Sequence, residues 1–165
     1  MFSTLFFKFI PYLFLTFFIF FEFSPSYFAE KEVIKPYFTF IVLYALINND
    51  TERFRPLWIL LFGLFYDFLD GAIVGITSLF FLITLHLLRR KHSTIVSVDF
   101  KIIWINFIFI LFLYVLVSQI TKVIFHDVNF EFRRIFLSLI ISIILFPVFN
   151  SLIEKFNTKF KIFNE

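Results

Sequence analysis

The sequence predicts an all-α integral membrane protein that forms a single transmembrane domain over residues 1–165. Hydrophobic residues make up 61% of the chain and charged residues 16%, and the mean hydropathy is +0.94. Apolar runs of nearly the length that crosses a bilayer core recur along the chain. A transmembrane β-barrel would need strands of alternating polarity, and stretches such as Ile102 to Val117 show no period of two. We therefore expect about six transmembrane helices surrounded by membrane lipids.

The predicted segments are 5–23, 33–47, 57–69, 72–88, 102–125 and 135–153. The first resembles a signal peptide in part, but Glu22 near its end and its length favour a retained anchor. The second contains Pro36 near its start, the fifth is a long apolar run, and the sixth contains Pro147. The third is short, because thirteen residues form roughly 20 Å of helix against a hydrocarbon core of roughly 30 Å.

Two arrangements fit the short third segment. Either Leu57 to Leu88 forms one tilted helix, or the chain folds back near Asp70-Gly71 between a short helix and a longer one. The bias of basic residues toward the cytoplasm distinguishes the two, because they place every later loop on opposite sides. With five segments the 15 basic residues divide nine to six.

With six segments they divide ten to five, which is the stronger bias. The larger group is Lys8, Arg53, Arg55, Arg89, Arg90, Lys91, Lys101, Lys155, Lys159 and Lys161; the smaller is Lys31, Lys35, Lys122, Arg133 and Arg134. The sequence therefore predicts six segments, a fold-back near Asp70-Gly71, and both termini in the cytoplasm.

Asp67 and Asp70 interrupt an otherwise apolar region, and no basic residue lies between Arg55 and Arg89 to pair with them. Asp70 could be the N-cap of a helix that begins near Gly71. Asp67 could accept hydrogen bonds from backbone groups freed by the break, or lie in a water-filled pocket. Ionisable residues within a membrane are also functional candidates, so either carboxylate could contact a partner or ligand.

All three glycines, Gly63, Gly71 and Gly75, lie in the same region. Their clustering predicts a close approach of two backbones or a tight turn. Gly71 and Gly75 have the spacing of a small-residue packing face. We expect Gly75→Leu to be more damaging than Gly63→Leu, because Gly75 is predicted to lie within the longer helix.

Patterns for enzymatic and metal chemistry are weak. The chain has no cysteine, and its net charge of +3 is what a cytoplasmic bias of basic residues produces in a membrane protein, so nucleic acid is not implied. Asp67, Asp70 and Gly71 match the D-x-x-D-G opening of membrane CDP-alcohol phosphotransferases. The remaining aspartates of that motif are absent, and with them half of a paired-metal site. We expect no catalytic residue, no metal and no cofactor.

The stretch RPLWILLFGLFYDFLDGAIVGITSLFFLITLHLLRR, Arg55 to Arg90, resembles the central signature of the MreD family of the bacterial rod-shape system. Gly63, Asp67, Gly71 and Gly75 occupy the family's Gly, Asp, Gly and Gly positions. Pro36 with the apolar run after it, and Pro147 with the basic tail, are similar to the second and last spans of the family. The pattern departs at Ala45, where a tryptophan is common, and at Asp70, which the family does not require.

The resemblance implies a non-enzymatic scaffold of the cell-elongation complex in the bacterial inner membrane. It implies MreC as partner and, through MreC, the MreB filament and the RodA and transpeptidase pair that synthesises lateral peptidoglycan. It also implies a fold similar to the six-helix substrate-binding subunits of energy-coupling-factor (ECF) vitamin transporters. The residues themselves suggest a docking groove at the fold-back for a partner's transmembrane helix.

The alternative is a substrate-binding subunit of a small-molecule transporter of the vitamin type. Such a subunit needs convergent polar residues in its outer loops to hold the ligand. The predicted outer loops contain only an ordinary mixture of solvated charges. We therefore favour the scaffold.

Overall fold

A computed structural model shows six helices in the residues that it describes. Those residues are 2–25, 27–28, 31–71, 73–92, 99–126 and 131–162. The helices are α1 (Phe2–Phe23), α2 (Phe38–Asn49), α3 (Pro56–Asp70), α4 (Ile76–His92), α5 (Phe100–His126) and α6 (Phe132–Ile162). Between α1 and α2, a two-residue strand β1 (Tyr27–Phe28) pairs antiparallel with β2 (Lys31–Glu32).

Helix α2 forms the centre of the bundle. It is apolar on all sides, which is typical of a helix with no face toward its surroundings. Its buried side chains are Thr39, Phe40, Ile41, Val42, Leu43, Tyr44, Ala45 and Ile47. Its 12 residues form about 18 Å of helix, so α2 is shorter than the hydrocarbon core of a bilayer.

Helix α2 packs against α6, α1 and α4, and its Phe40 and Tyr44 rings also contact Phe107 of α5. Around it, α1 packs on α3, α3 on α4, α4 on α5, and α5 on α6. The rings of Phe18 in α1 and Phe149 in α6, with centroids 5.6 Å apart, close the ring of helices. In the core, Phe107 of α5 and Phe146 of α6 stack with centroids 4.1 Å apart. The apolar centre thus contains several aromatic side chains beside the aliphatic ones.

The helix is interrupted where the charge bias predicted a fold-back. Helix α3 ends at Asp70, and Gly71 follows as its C-cap in the left-handed conformation, with φ 66°. Helix α4 starts at Ile76 and packs against α3 along its length. At the far end of this hairpin, Arg89 Nη2 donates a hydrogen bond to the carbonyl oxygen of Phe54 at 2.6 Å. The two arginine-bearing flanks of the hairpin therefore lie together.

Two helices start later than the sequence suggested. Helix α2 begins at Phe38 and not at Val33, because Pro36 lacks an N–H group and disfavours helical conformation in the residue before it. Helix α4 begins at Ile76; Ala72, the predicted start of the fourth segment, lies outside the described residues.

The bundle has two distinct ends. We call the end with the α3–α4 turn the hairpin end, and the end with Arg53, Arg55, Arg89 and Arg90 the arginine end. Successive helices run in alternating directions between them. Thus the ends of α1 and α3 meet the starts of α2 and α4 at the hairpin end.

The outer surface between the two ends is apolar. On α5, large hydrophobic side chains at helical spacing point outward; they are Ile105, Phe109, Phe112, Leu116 and Ile120. Among the described residues, two helical stretches are long and apolar enough to cross a membrane, Phe100–Phe125 and Phe132–Thr158. Apolar side chains on this surface can contact lipid chains without an energetic penalty, because lipid tails are equally apolar.

Candidate functional site

Asp67 lies inside the bundle and binds the start of the next helix. Its side chain is 1% exposed. Its Oδ2 accepts a hydrogen bond from the backbone N–H of Gly75 at 2.7 Å, and its Oδ1 accepts one from the backbone N–H of Thr77 at 3.1 Å. The first N–H groups of a helix have no partner within the helix, and a carboxylate there is also favoured by the helix dipole. Asp67 therefore caps α4 from the preceding helix.

Asp70 has a different role from the one that the sequence suggested. The expected N-cap function belongs to Asp67, three residues earlier, because α4 starts at Ile76 and not near Gly71. Asp70 instead forms an ion pair with Lys122 of α5, at 2.7 Å from Oδ2 to Nζ. The expectation of no basic partner was wrong, because it considered only the chain between Arg55 and Arg89.

The capped turn is also tied to α5. Thr77 and Tyr114 share a hydrogen bond between their hydroxyl oxygens, 3.2 Å apart, and both side chains are buried. Together with the ion pair between Asp70 and Lys122, this contact connects both arms of the hairpin to the same neighbouring helix. A buried hydroxyl pair of this kind resists separation, since each group would otherwise lose its partner.

Glu22 is a site residue that the sequence analysis missed. It lies at the end of α1, where Oε1 accepts a hydrogen bond from the Tyr66 hydroxyl at 2.8 Å and Oε2 accepts one from the Thr39 backbone N–H at 2.8 Å. This carboxylate therefore joins α1, α2 and α3. The signal was present in the sequence, because Glu22 lies in the apolar run 5–23 just as Asp67 does in its own run.

Lys35 closes the same end of α1. Its ammonium group donates hydrogen bonds to the carbonyl oxygens of Phe21 at 3.2 Å and Glu22 at 3.1 Å, and to that of Ser24. Carbonyls in the last turn of a helix have no partner within the helix, and a cation there is favoured by the dipole. Lys35 thus anchors the segment before α2 to the end of α1.

Gly63 lies at a close approach between α3 and α4. A Cβ atom at this position would lie 2.4 Å from the Cα of Ser78 and 2.7 Å from its backbone nitrogen. Real side chains do not approach a backbone so closely, so only glycine allows the two helices to pack at this distance. The prediction of a close backbone approach is correct for Gly63.

Gly71 and Gly75 do not form the packing face that their spacing suggested. A Cβ at either position would meet nothing within 4 Å. Both adopt positive φ, 66° for Gly71 and 112° for Gly75, and both lie in the turn and not in α4. They are needed for conformation and not for contact. The reason for ranking Gly75→Leu as more damaging than Gly63→Leu is therefore wrong.

The contacts of Asp67, Asp70 and Glu22, together with the bond between Thr77 and Tyr114, connect helices α1 to α5, and we call this set of contacts the joint. Each of the three carboxylates has a partner in it. Asp67 binds backbone N–H groups, Asp70 binds an ammonium group, and Glu22 binds a hydroxyl and an N–H group. The three acids do not converge on one point. Within the described residues, no group of three or more His, Cys, Asp or Glu side chains could hold a metal ion. This arrangement can hold helices in place.

Comparison with known proteins identifies the family of the chain. A family model described as rod shape-determining protein MreD matches residues 3–156 of the chain. The match includes all six helices, apart from the first residue of α1 and the last turns of α6. No curated protein and no solved structure matches the chain.

Proposed function

The chain belongs to the MreD family of rod shape-determining proteins of the bacterial inner membrane, and we propose that it acts there as a non-enzymatic scaffold for cell elongation. In this role it supports lateral peptidoglycan synthesis by holding other membrane proteins together. It needs no cofactor and no metal. The residues that the sequence analysis selected, Gly63, Asp67, Asp70, Gly71 and Gly75, serve to build the scaffold.

The observation that carries this proposal is the joint at the hairpin end. Asp67 is 1% exposed, and its carboxylate accepts hydrogen bonds from backbone N–H groups at the start of α4. Asp70 forms an ion pair with Lys122. Neither is left to bind a substrate. Carboxylates that are engaged in holding helices together are expected in a protein with a structural role.

The proposed topology has six transmembrane segments and both termini in the cytoplasm. The contact of Arg89 with Phe54 supports it, since the two arginine clusters of the hairpin then share one compartment. Basic residues favour the cytoplasmic side, so the arginine end is the cytoplasmic end and the α3–α4 turn faces outward. The shorter helices, such as α2, cross with the help of the segments that flank them.

The proposed partners are MreC and, through it, the MreB filament and the RodA and transpeptidase pair. A partner's transmembrane helix would dock on the outer faces of the bundle. The groove that we expected at the fold-back does not provide the contact, because α3 and α4 close on each other at Gly63 and Ser78. Docking therefore depends on the apolar outer faces of the helices, whose relative positions the joint fixes.

The family match favours this role over that of a transporter subunit. Similarity to the ECF substrate-binding fold stays a prediction.

Isolation of the tagged chain from native membranes under mild detergent tests the proposal. We expect MreC and other wall-elongation proteins in the eluate, and rounding of rod-shaped cells when the chain is depleted. A matched control is an unrelated six-helix membrane protein with the same tag. Recovery of an ATP-binding cassette pair without any wall-elongation protein would overturn the proposal in favour of transport.

A further inference from the structure

The apolar outer surface differs in height between α3 and α5. On α3, large apolar side chains are exposed from Leu57 to Leu69, which is about 20 Å of helix. On α5 they are exposed from Ile102 to Phe125, which is about 36 Å. The hydrocarbon core of a bilayer is roughly 30 Å thick. The apolar surface is therefore too short for the core at α3 and long enough at α5.

Helix α5 continues past the start of α4 at the hairpin end. The bond between the hydroxyl groups of Thr77 and Tyr114 places the start of α4 beside Tyr114. From Tyr114, α5 continues in the same direction to Phe125, which is about 16 Å of helix.

Helix α6 continues past the start of α2 in the same way. The backbone N–H of Tyr37, directly before α2, donates a hydrogen bond to Ser142 Oγ at 2.9 Å. Helix α6 begins ten residues before Ser142, about 15 Å farther toward the hairpin end. We call residues 115–125 of α5 and 132–141 of α6 the extension.

The exposed surface of the extension is largely apolar. Its large exposed hydrophobic side chains are Leu116, Ile120, Val123, Ile124, Phe125, Phe132 and Phe136. On α5 they continue the apolar stretch Phe100–Phe125, which is long enough to cross a membrane. Contact with lipid chains costs such side chains nothing, whereas contact with water is unfavourable. Beside α5, the hydrocarbon core therefore reaches nearly to Phe125.

A core of the same height around the hairpin would cover the α3–α4 turn. Gly71 and Val74 in the turn are exposed, and the ion pair between Asp70 and Lys122 is partly exposed. Exposed backbone and charged groups have no hydrogen-bonding partner in lipid chains, so covering them is costly. Thinning a bilayer costs much less per ångström than leaving such groups unsatisfied. The lipid is the element that adapts.

We propose that the α3–α4 hairpin thins the adjacent leaflet, so that phospholipid headgroups and water descend to the turn while the lipid beside α5 keeps its ordinary height. The surface at the hairpin thus binds a deformed phospholipid leaflet. The ion pair between Asp70 and Lys122 lies among headgroups and not in hydrocarbon. This inference goes beyond the scaffold role, and it depends on the membrane location of the chain and not on its partners.

Thiol labelling tests the depth of the turn in a chain that has no cysteine of its own. Single cysteines replace Val74 in the turn, Ile120 in the extension and Ile83 in the middle of α4, and all three side chains are exposed. Ile120 lies two residues before Lys122, which binds Asp70, and so lies at about the height of the turn. Membranes are opened by freezing and thawing, so that a charged, water-soluble maleimide reaches both faces.

We expect Val74→Cys to react roughly tenfold faster than Ile120→Cys, because the reactive thiolate does not form in hydrocarbon. Ile120→Cys should react as slowly as Ile83→Cys. Equal rates at positions 74 and 120, whether fast or slow, or a faster rate at position 120, would overturn the proposal. Equal fast rates would place the membrane boundary at the turn on all sides, and equal slow rates would place the turn under lipid or under another protein.

A lipid-borne reagent distinguishes a thinned leaflet from a water-filled pocket of the protein. The purified variants are reconstituted in phosphatidylcholine vesicles with a small fraction of phosphatidylethanolamine that carries maleimide on its headgroup. Val74→Cys should form the lipid adduct, and Ile83→Cys should not. Reaction of Val74→Cys with soluble maleimide alone, or equal adducts at both positions, would overturn the proposal. Recovery of wall-elongation proteins by the wild-type chain separates such a failure from a failure of the scaffold role.

Discussion

The carboxylate of Asp67 in α3 accepts a hydrogen bond from the backbone N–H of Thr77 in α4, at 3.1 Å across the turn that joins the two helices. The same carboxylate binds the N–H of Gly75. One side chain of α3 thereby provides acceptors for the backbone N–H groups of Gly75 and Thr77 at the start of α4. The pairing explains how an acid can be buried in an apolar bundle, and it supports several expected outcomes.

Replacement of Asp67 should destabilise the protein according to the number of acceptors that remain. Asp67→Ala leaves the buried N–H of Thr77 and the half-buried N–H of Gly75 without a partner and should cost on the order of 2 to 3 kcal/mol of unfolding free energy. Asp67→Asn keeps one acceptor oxygen and should cost about half as much. Thermal unfolding of the purified variants in detergent, followed by circular dichroism, provides the measurement. Equal stability of Asp67→Ala and wild type would contradict the capping role.

Gly63 should tolerate even the smallest side chain poorly. The Cβ of Gly63→Ala would lie 2.4 Å from Ser78 Cα, so α3 and α4 must separate, at a cost of about 3 kcal/mol. Gly71→Ala should cost only about 1 kcal/mol, because the site is open and only the positive φ is unfavourable. The same unfolding measurement compares the two variants. A ranking in the opposite order would show that α3 and α4 do not pack at Gly63.

The ion pair between Asp70 and Lys122 should contribute modestly. The side chains are 20% and 26% exposed, respectively, so the pair is partly solvated and its coupling energy should be about 1 kcal/mol. A double-mutant cycle with Asp70→Asn and Lys122→Met measures this coupling. Additive effects of the two substitutions would mean that the pair does not hold the hairpin to α5.

Glu22 and Tyr66 should behave as a coupled pair between α1 and α3. Tyr66→Phe removes one donor to the carboxylate and should cost about 1 to 2 kcal/mol. Glu22→Ala should cost more, since it also leaves the Thr39 N–H without its acceptor. Tyr12→Phe, which removes a hydroxyl bound to the Arg53 carbonyl at the arginine end, is a matched control for the loss of one hydroxyl. Non-additive loss in the Glu22→Ala and Tyr66→Phe double variant is the expected signature, and strict additivity would argue against it.

Reporter fusions test the topology directly. Fusions after Lys91 and after Glu165 should both report a cytoplasmic location, because the hairpin returns the chain to the compartment of Arg55. A fusion within the α3–α4 turn, at Gly71, should report the outer side. Opposite locations for Lys91 and Glu165 would exclude the six-segment arrangement.

The sequence alone was sufficient for the features that depend on neighbouring residues. Hydropathy identified the membrane class, and the helix break at Asp70 and Gly71 followed from a short segment, its flanking arginines and the clustered glycines. The pattern of Gly63, Asp67, Gly71 and Gly75 indicated the family, which the match to residues 3–156 confirms. These signals are local, because backbone conformation and the insertion of a segment into the membrane both depend on short stretches of sequence.

The roles of individual side chains required the tertiary structure. Whether Asp67 or Asp70 caps α4, and whether Gly63 or Gly75 lies at the close contact, depends on where α4 begins and how it packs against α3. The bond between Lys122 and Asp70 joins residues 52 positions apart, and that between Tyr66 and Glu22 joins residues 44 apart. Only the packing of whole helices brings such groups together, since no local pattern encodes which helices become neighbours around α2.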